Sequence, residues 1–162
     1  MWSGEPDGTV AARVLEALAG RGETLATAES LTGGLLSARL TDVPGASRSF
    51  VGGVVSYATR VKVAVLGVPD ELVAEHGVVS EECALAMARG VRGRLDATWG
   101  LATTGVAGPD RQEGREVGTV WVALAGPRGA TARLLDLSGD RSAIRQAACV
   151  AVLELLAREL EG

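Results

Sequence analysis

Thr24-Leu25-Ala26-Thr27-Ala28-Glu29-Ser30-Leu31-Thr32-Gly33-Gly34-Leu35-Leu36 reads as a short strand, a sharp turn at Glu29-Ser30, and then a helix. Ser30 stands where a helix N-cap is expected. Gly33 and Gly34 follow inside the first turn, where each costs up to about 1 kcal/mol against Ala. Such a pair marks either a tight helix-strand packing or a place where a ligand must approach the backbone. The second reading draws on the anion-binding character of helix N-termini.

Ahead of this stretch, residues 7–21 carry Val10, Val14, Leu15 and Leu18 on one helical face, and Gly20 and Gly22 end it. After the opening stretch, a helix bearing Leu31, Leu35 and Ala38 stops before Pro44-Gly45. Val51 to Tyr57 is strand-like, with Gly52-Gly53 predicting a bulge or close approach. Short helices follow over 58–66 and from Pro69 to Glu75, the second closed by His76-Gly77. Ser80-Glu81-Glu82 opens a longer helix with Ala84, Met87, Ala88, Val91 and Leu95 in one stripe. Residues 97–104 form a strand and Gly105–Glu116 a polar loop; Val117–Ala125 and Ala130–Leu137 pair as a hairpin. Asp140 precedes a last helix over roughly 141–160. Helices alternating with strands predict an α/β fold: a mostly parallel sheet with one antiparallel member and helices on both faces.

The 162 residues predict a single domain, residues 1–162, with a sizeable core. Apolar residues make up 47% but aromatics only 3%, so Val, Leu and Ala must build that core. A net charge of −4 argues against nucleic acid as the main partner. No apolar run is long enough for a membrane span, and Met1–Pro6 lacks a charged region followed by an apolar one, so no signal peptide is expected. Cys83 and Cys149 fall on apolar helix faces and read as buried free thiols, which places the chain in the cytoplasm. One His and two separated Cys make a zinc site improbable.

Chemistry concentrates at strand ends. Tyr57 and Lys62, the only tyrosine and the only lysine, lie at a strand-to-helix junction. Ser30 occupies the same kind of junction one unit earlier, and such ends are where open α/β sheets bind ligands. Serine needs a base to take its proton, and lysine is a known partner for it. Lysine serves only when neutral. From its reference pKa near 10.4, reaching that state at pH 7 costs roughly 4–5 kcal/mol, which burial and nearby positive charge can offset. The competing reading is a capping serine, a half-buried tyrosine and a solvated lysine. Ala102-Thr103-Thr104-Gly105-Val106-Ala107-Gly108-Pro109-Asp110 is either an oxyanion or phosphate cradle or an ordinary loop. Arg141, at a helix start, either faces a phosphate or carboxylate or is solvated.

Taken together, Ala28-Glu29-Ser30-Leu31-Thr32-Gly33-Gly34, Ser56-Tyr57 with Lys62, His76-Gly77-Val78-Val79-Ser80, Thr104–Pro109, Val117–Trp121 and Gly139-Asp140-Arg141 resemble the CinA C-terminal domain family, the nicotinamide mononucleotide amidohydrolases. The first stretch matches the family signature A-E-S-x-T-G-G, and the resemblance spans about residues 7–160. It implies a three-layer α/β/α sandwich around a mixed five-stranded sheet. It implies an amidase that converts nicotinamide mononucleotide to nicotinic acid mononucleotide and ammonia, without metal or cofactor, as a cytoplasmic homodimer or higher homo-oligomer. By the same resemblance Ser30 is the nucleophile, Lys62 the general base, and Tyr57 a residue that positions Lys62 or its proton. Thr32, Gly33, Gly34, Thr104, Gly105 and Arg141 are expected around the substrate, and backbone N–H groups of Gly33, Gly34 or Gly105 at the oxyanion. The chain departs from the family at Arg111-Gln112-Glu113-Gly114-Arg115-Glu116, where a glycine pair and a later Lys-Pro are usual. The alternative function is a non-catalytic nucleotide-binding or competence-associated accessory module, which would need the glycine loops but not the Ser/Lys pair.

Overall fold

A computed structural model describes residues 9–162. Residues 7 and 8 of the expected first helix, and the Met1–Pro6 stretch, lie outside the described residues. The elements run α1 (Val10–Arg21), β1 (Leu25–Glu29), α2 (Leu35–Thr41), β2 (Phe50–Val55), α3 (Thr59–Ala64), α4 (Asp70–His76), α5 (Glu81–Arg94), β3 (Trp99–Gly105), β4 (Thr119–Gly126), β5 (Gly129–Asp136) and α6 (Arg141–Glu161).

The five strands form one sheet in the order β2-β1-β3-β4-β5. β1 pairs in parallel with both β2 and β3, and β4 runs antiparallel to β3 and to β5. β4 is thus the one strand that opposes the rest, as the hairpin pattern predicts. One face carries α1, α2 and α6, whose Leu18, Leu36, Leu40, Ile144 and Leu153 pack on Leu25, Leu101, Val120 and Val122. The other carries α5, whose Ala84, Met87, Ala88 and Val91 pack on Ala26, Ala28, Ala102 and Ala123. The period-two alternation of strand side chains separates these two sets. Small residues under α5 let that helix sit close to the sheet, which is how a chain so poor in aromatics fills its interior. Cys83 and Cys149 are both buried and free, and they belong to opposite layers.

β2 shows the expected irregularity. Leu25 faces Phe50 but Ala26 faces Gly52, so the register shifts at Val51. A Cβ on Gly53 would stand 2.2 Å from Thr27 Oγ1 and 3.0 Å from its carbonyl oxygen, so only glycine fits there.

The connections fix where a site can form. β1 leads through α2 to β2 on one side, and β2 leads through α3, α4 and α5 to β3 on the other. The strand order therefore reverses at β1, and the crevice of an open sheet lies at the carboxyl ends beside such a reversal. Ser30 follows β1, Ser56 and Tyr57 follow β2, and the Val106–Asp110 segment follows β3.

Candidate active site

The turn that carries Ser30 is built by its neighbours. Glu29 ends β1 with its side chain 1% exposed. Its Oε1 accepts from Gly34 N at 3.2 Å and Leu36 N at 2.8 Å, and its Oε2 accepts from Ser37 N at 3.1 Å and Ser37 Oγ at 2.7 Å. A carboxylate here satisfies the open N–H groups of the first turn of α2. This corrects the expectation that Ser30 caps the helix. Gly33 and Gly34 take φ of +56° and +104°, so the backbone is left-handed there and α2 begins only at Leu35. A Cβ at either glycine would meet nothing closer than 3.5 Å, so backbone conformation rather than lack of space requires them. From α6, Arg145 donates to the carbonyls of Leu31 at 2.9 Å and Thr32 at 3.0 Å. Ser30 N donates to Thr103 O at 3.0 Å, which fastens the turn to β3.

The Ser30 hydroxyl is thereby released from capping and meets Lys62. Lys62 enters from α3 and is 1% exposed. Its Nζ lies 2.9 Å from Ser30 Oγ, 2.6 Å from Ser56 O and 3.1 Å from Tyr57 O. Burial lowers its pKa from 10.5, against the opposing pull of Cys83 and Glu113. Burial also pushes the Cys83 thiol up to about 11, so it is uncharged at neutral pH, where it exerts its pull on Lys62 only once ionised at higher pH and does not compete as a nucleophile. Hydrogen-bond capacity then assigns direction. An ammonium has three donors and can serve all three oxygens. A neutral amine has two N–H donors for the two carbonyls, which leaves its lone pair to accept from the Ser30 O–H. The two carbonyls would thus point the lone pair of a deprotonated lysine at Ser30 Oγ.

Ser30, Leu31, Tyr57, Arg141 and residues 105–112 line a cleft of about 400 Å³. Among the expected substrate residues, Gly105 and Arg141 line it with Ser30 and Tyr57. Arg141 donates to Gly108 O and reaches the Tyr57 hydroxyl at 3.2 Å. The Tyr57 side chain is 61% exposed, and it is the tyrosine backbone carbonyl that touches Lys62. Thr32, Gly33, Gly34 and Thr104 are not among the lining residues. Thr32 Oγ1 lies 2.8 Å from Thr103 Oγ1, and Thr104 Oγ1 donates to Val78 O at 2.8 Å, so both hydroxyls have partners inside the fold. The N–H groups of Gly33 and Gly34 are likewise engaged, by Ser30 O and Glu29 Oε1. Among the described residues the N–H of Leu31 has no acceptor, and Leu31 lines the cleft directly after the serine. Unlike the N–H groups of the two glycines, it is left for an acceptor from outside the protein.

Glu29 and Arg145 were absent from the sequence-based site. The signals for Glu29 are its place in the A-E-S-x-T-G-G stretch and at the end of a strand with no other charged residue; nothing around Arg145 distinguishes it from a solvated helix residue. Among the described residues no group of three or more His, Cys, Asp or Glu is placed to hold a metal ion. No helix among them is long and apolar enough to cross a membrane.

The profile described as the CinA C-terminal domain matches residues 7–160. A CinA-like protein of Frankia casuarinae is 56% identical over 159 residues, which cover 98% of this chain and 37% of that protein. The chain therefore spans well under half the length of that relative. Among solved structures, a competence/damage inducible protein from Agrobacterium tumefaciens superposes with a TM-score of 0.92 at 32% identity, covering 100% of this chain and 99% of the other. A CinA superfamily protein from Klebsiella pneumoniae gives a TM-score of 0.91 at 34% identity, covering 94% and 96%.

Proposed function

The chain belongs to the CinA C-terminal domain family, and we propose that it is an amidase acting on nicotinamide mononucleotide through a Ser30–Lys62 pair. The observation that carries this reading is the 2.9 Å contact between Ser30 Oγ and a buried lysine amine whose other neighbours are two carbonyl oxygens. A solvated lysine beside a capping serine would show neither feature.

In the proposed reaction, neutral Lys62 Nζ takes the Ser30 proton as Oγ bonds to the carboxamide carbon. The carbonyl oxygen gains the electron pair and is met by the Leu31 N–H. Collapse restores the carbonyl, breaks the C–N bond, and passes the proton from the Lys62 ammonium to the departing nitrogen, which leaves as ammonia. Water then adds to the Ser30 ester with Lys62 again as base, which releases the carboxylate and restores the Ser30 hydroxyl. Arg141 at the cleft wall supplies positive charge for the substrate phosphate.

The reading includes a cytoplasmic homodimer. The two buried thiols in separate layers agree with a reducing compartment, and the exposed Val51 and Val55 of edge strand β2 offer apolar surface to a second copy.

Purified protein in the presence of a chelator is expected to release one ammonia per nicotinamide mononucleotide consumed, measured by coupled ammonia assay across a small panel of amides. Binding of pyridine nucleotides with no ammonia release from any of them would favour the accessory-module reading instead.

A further inference from the structure

The 111–116 segment folds into a small hairpin of its own. Gln112 and Arg115 pair as an antiparallel bridge, and Arg111 forms an ion pair with Glu116 across it. The central residues Glu113 and Gly114 have φ of +53° and +71°, the signs that a type I′ turn requires. Glycine takes that conformation freely, but for a glutamate it costs about 1 kcal/mol or more. Glu113 nevertheless sits there, and its side chain reaches across to another element. Its Oε1 accepts from Val78 N at 3.1 Å and Val79 N at 2.9 Å, and its Oε2 from Val78 N at 3.1 Å. These N–H groups lie just ahead of Ser80, which caps α5. The carboxylate rests over Gly77, where a Cβ would come within 2.7 Å of it.

Resting on the amidase reading, we infer that Glu113 is a positioning residue that latches the 110–116 hairpin to the turn ahead of α5 and so holds the wall of the substrate cleft. Asp110, Arg111 and Gln112, immediately before it, line the cleft that Ser30 also lines. Val78 is in turn bound to the end of β3 through Thr104, so the latch joins the hairpin to a rigid frame. Glu113 acts on the chemistry in a second way. The groups that influence the charge of Lys62 are Cys83 from α5 and Glu113 from the hairpin. With the thiol uncharged at neutral pH, Glu113 is the one that favours the ammonium.

The test compares Glu113→Ala and Glu113→Gln in the full chain by amide hydrogen exchange and by kinetics on nicotinamide mononucleotide. In Glu113→Ala the Val78 and Val79 amides should exchange about tenfold faster or more, while that of Met87 in α5 keeps its protection. KM should rise about tenfold with a smaller change in kcat. Glu113→Gln keeps one acceptor oxygen and should recover part of both losses. It does not recover the charge, so in both variants the acid limb of the rate profile should move to lower pH. Unchanged exchange at Val78 and Val79 in Glu113→Ala overturns the latch whether or not the chain turns over this substrate. Accelerated exchange with an unaltered KM in an active enzyme overturns its role in the cleft. Absence of turnover in the unsubstituted chain would instead count against the amidase reading, with the exchange result still deciding the latch.

Discussion

Ser30→Ala should release ammonia from nicotinamide mononucleotide at least about 10⁴-fold more slowly than the unsubstituted chain, because removing a nucleophile that works as a unit with its base abolishes the covalent route. The fold should be retained. The backbone of residue 30 holds its place through Ser30 N to Thr103 O and Gly33 N to Ser30 O, neither of which uses the hydroxyl. Lys62 keeps two of its three oxygen partners. A thermal melt should therefore shift by no more than the equivalent of about 1 kcal/mol, the usual worth of one hydrogen bond. Ammonia release at the normal rate would exclude Ser30 as the nucleophile. A collapsed melt would mean that the serine is structural.

Glu29→Ala should do the opposite: little of its effect is chemical and most of it is structural. Four donors from Gly34, Leu36 and Ser37 converge on that buried carboxylate. Truncation leaves the three backbone N–H groups without that acceptor beside a new cavity, while Ser37 Oγ keeps Thr27 Oγ1 at 2.9 Å; the loss costs about 3–5 kcal/mol, or roughly 10 °C in melting temperature for a chain of this size. The turn that presents Ser30 is also released, so activity should fall with stability. Glu29→Gln preserves shape but turns an NH2 group towards N–H donors, and should lie between. A Glu29→Ala variant that melts within a degree or two of the unsubstituted chain would show that the turn is held by other means, Arg145 being the first to consider.

The convergence of Ser30 and Lys62 was legible in the sequence because both stand just beyond strand ends, and parallel strands with helical crossovers bring such ends together. The α5 stripe and the final hairpin were legible for similar local reasons: a cap followed by a 3.6-residue period, and two apolar runs around a Gly-Pro turn. The opening turn was read less well. A serine followed by glycines looks like a cap at the start of a helix. Whether it caps depends on the sign of φ at Gly33 and Gly34, which sequence does not reveal. Thr104 illustrates a different limit. A hydroxyl at the end of a strand looks available for a ligand, yet Val78, from a segment far away in the chain, takes it up. Glu113 and Arg145 reach farther still along the chain, Glu113 to Val78 and Val79 over 34–35 residues and Arg145 to Leu31 and Thr32 over 113–114. No local pattern marks a side chain whose partner is supplied by folding.

Lys62 is expected to lose its proton inside the fold. Lysine must be neutral to act as base, so activity should fall as pH drops through its folded pKa, and burial places that value below 10.5. Lys62 is the only lysine in the chain, so labelling lysine at Cε yields a single resonance that reports this group alone. Its chemical shift, followed against pH, should titrate below 10.5, with a midpoint that coincides with the acid limb of kcat/KM for ammonia release. Titration at or above the ordinary lysine value, in an enzyme already fully active near neutral pH, would contradict the account.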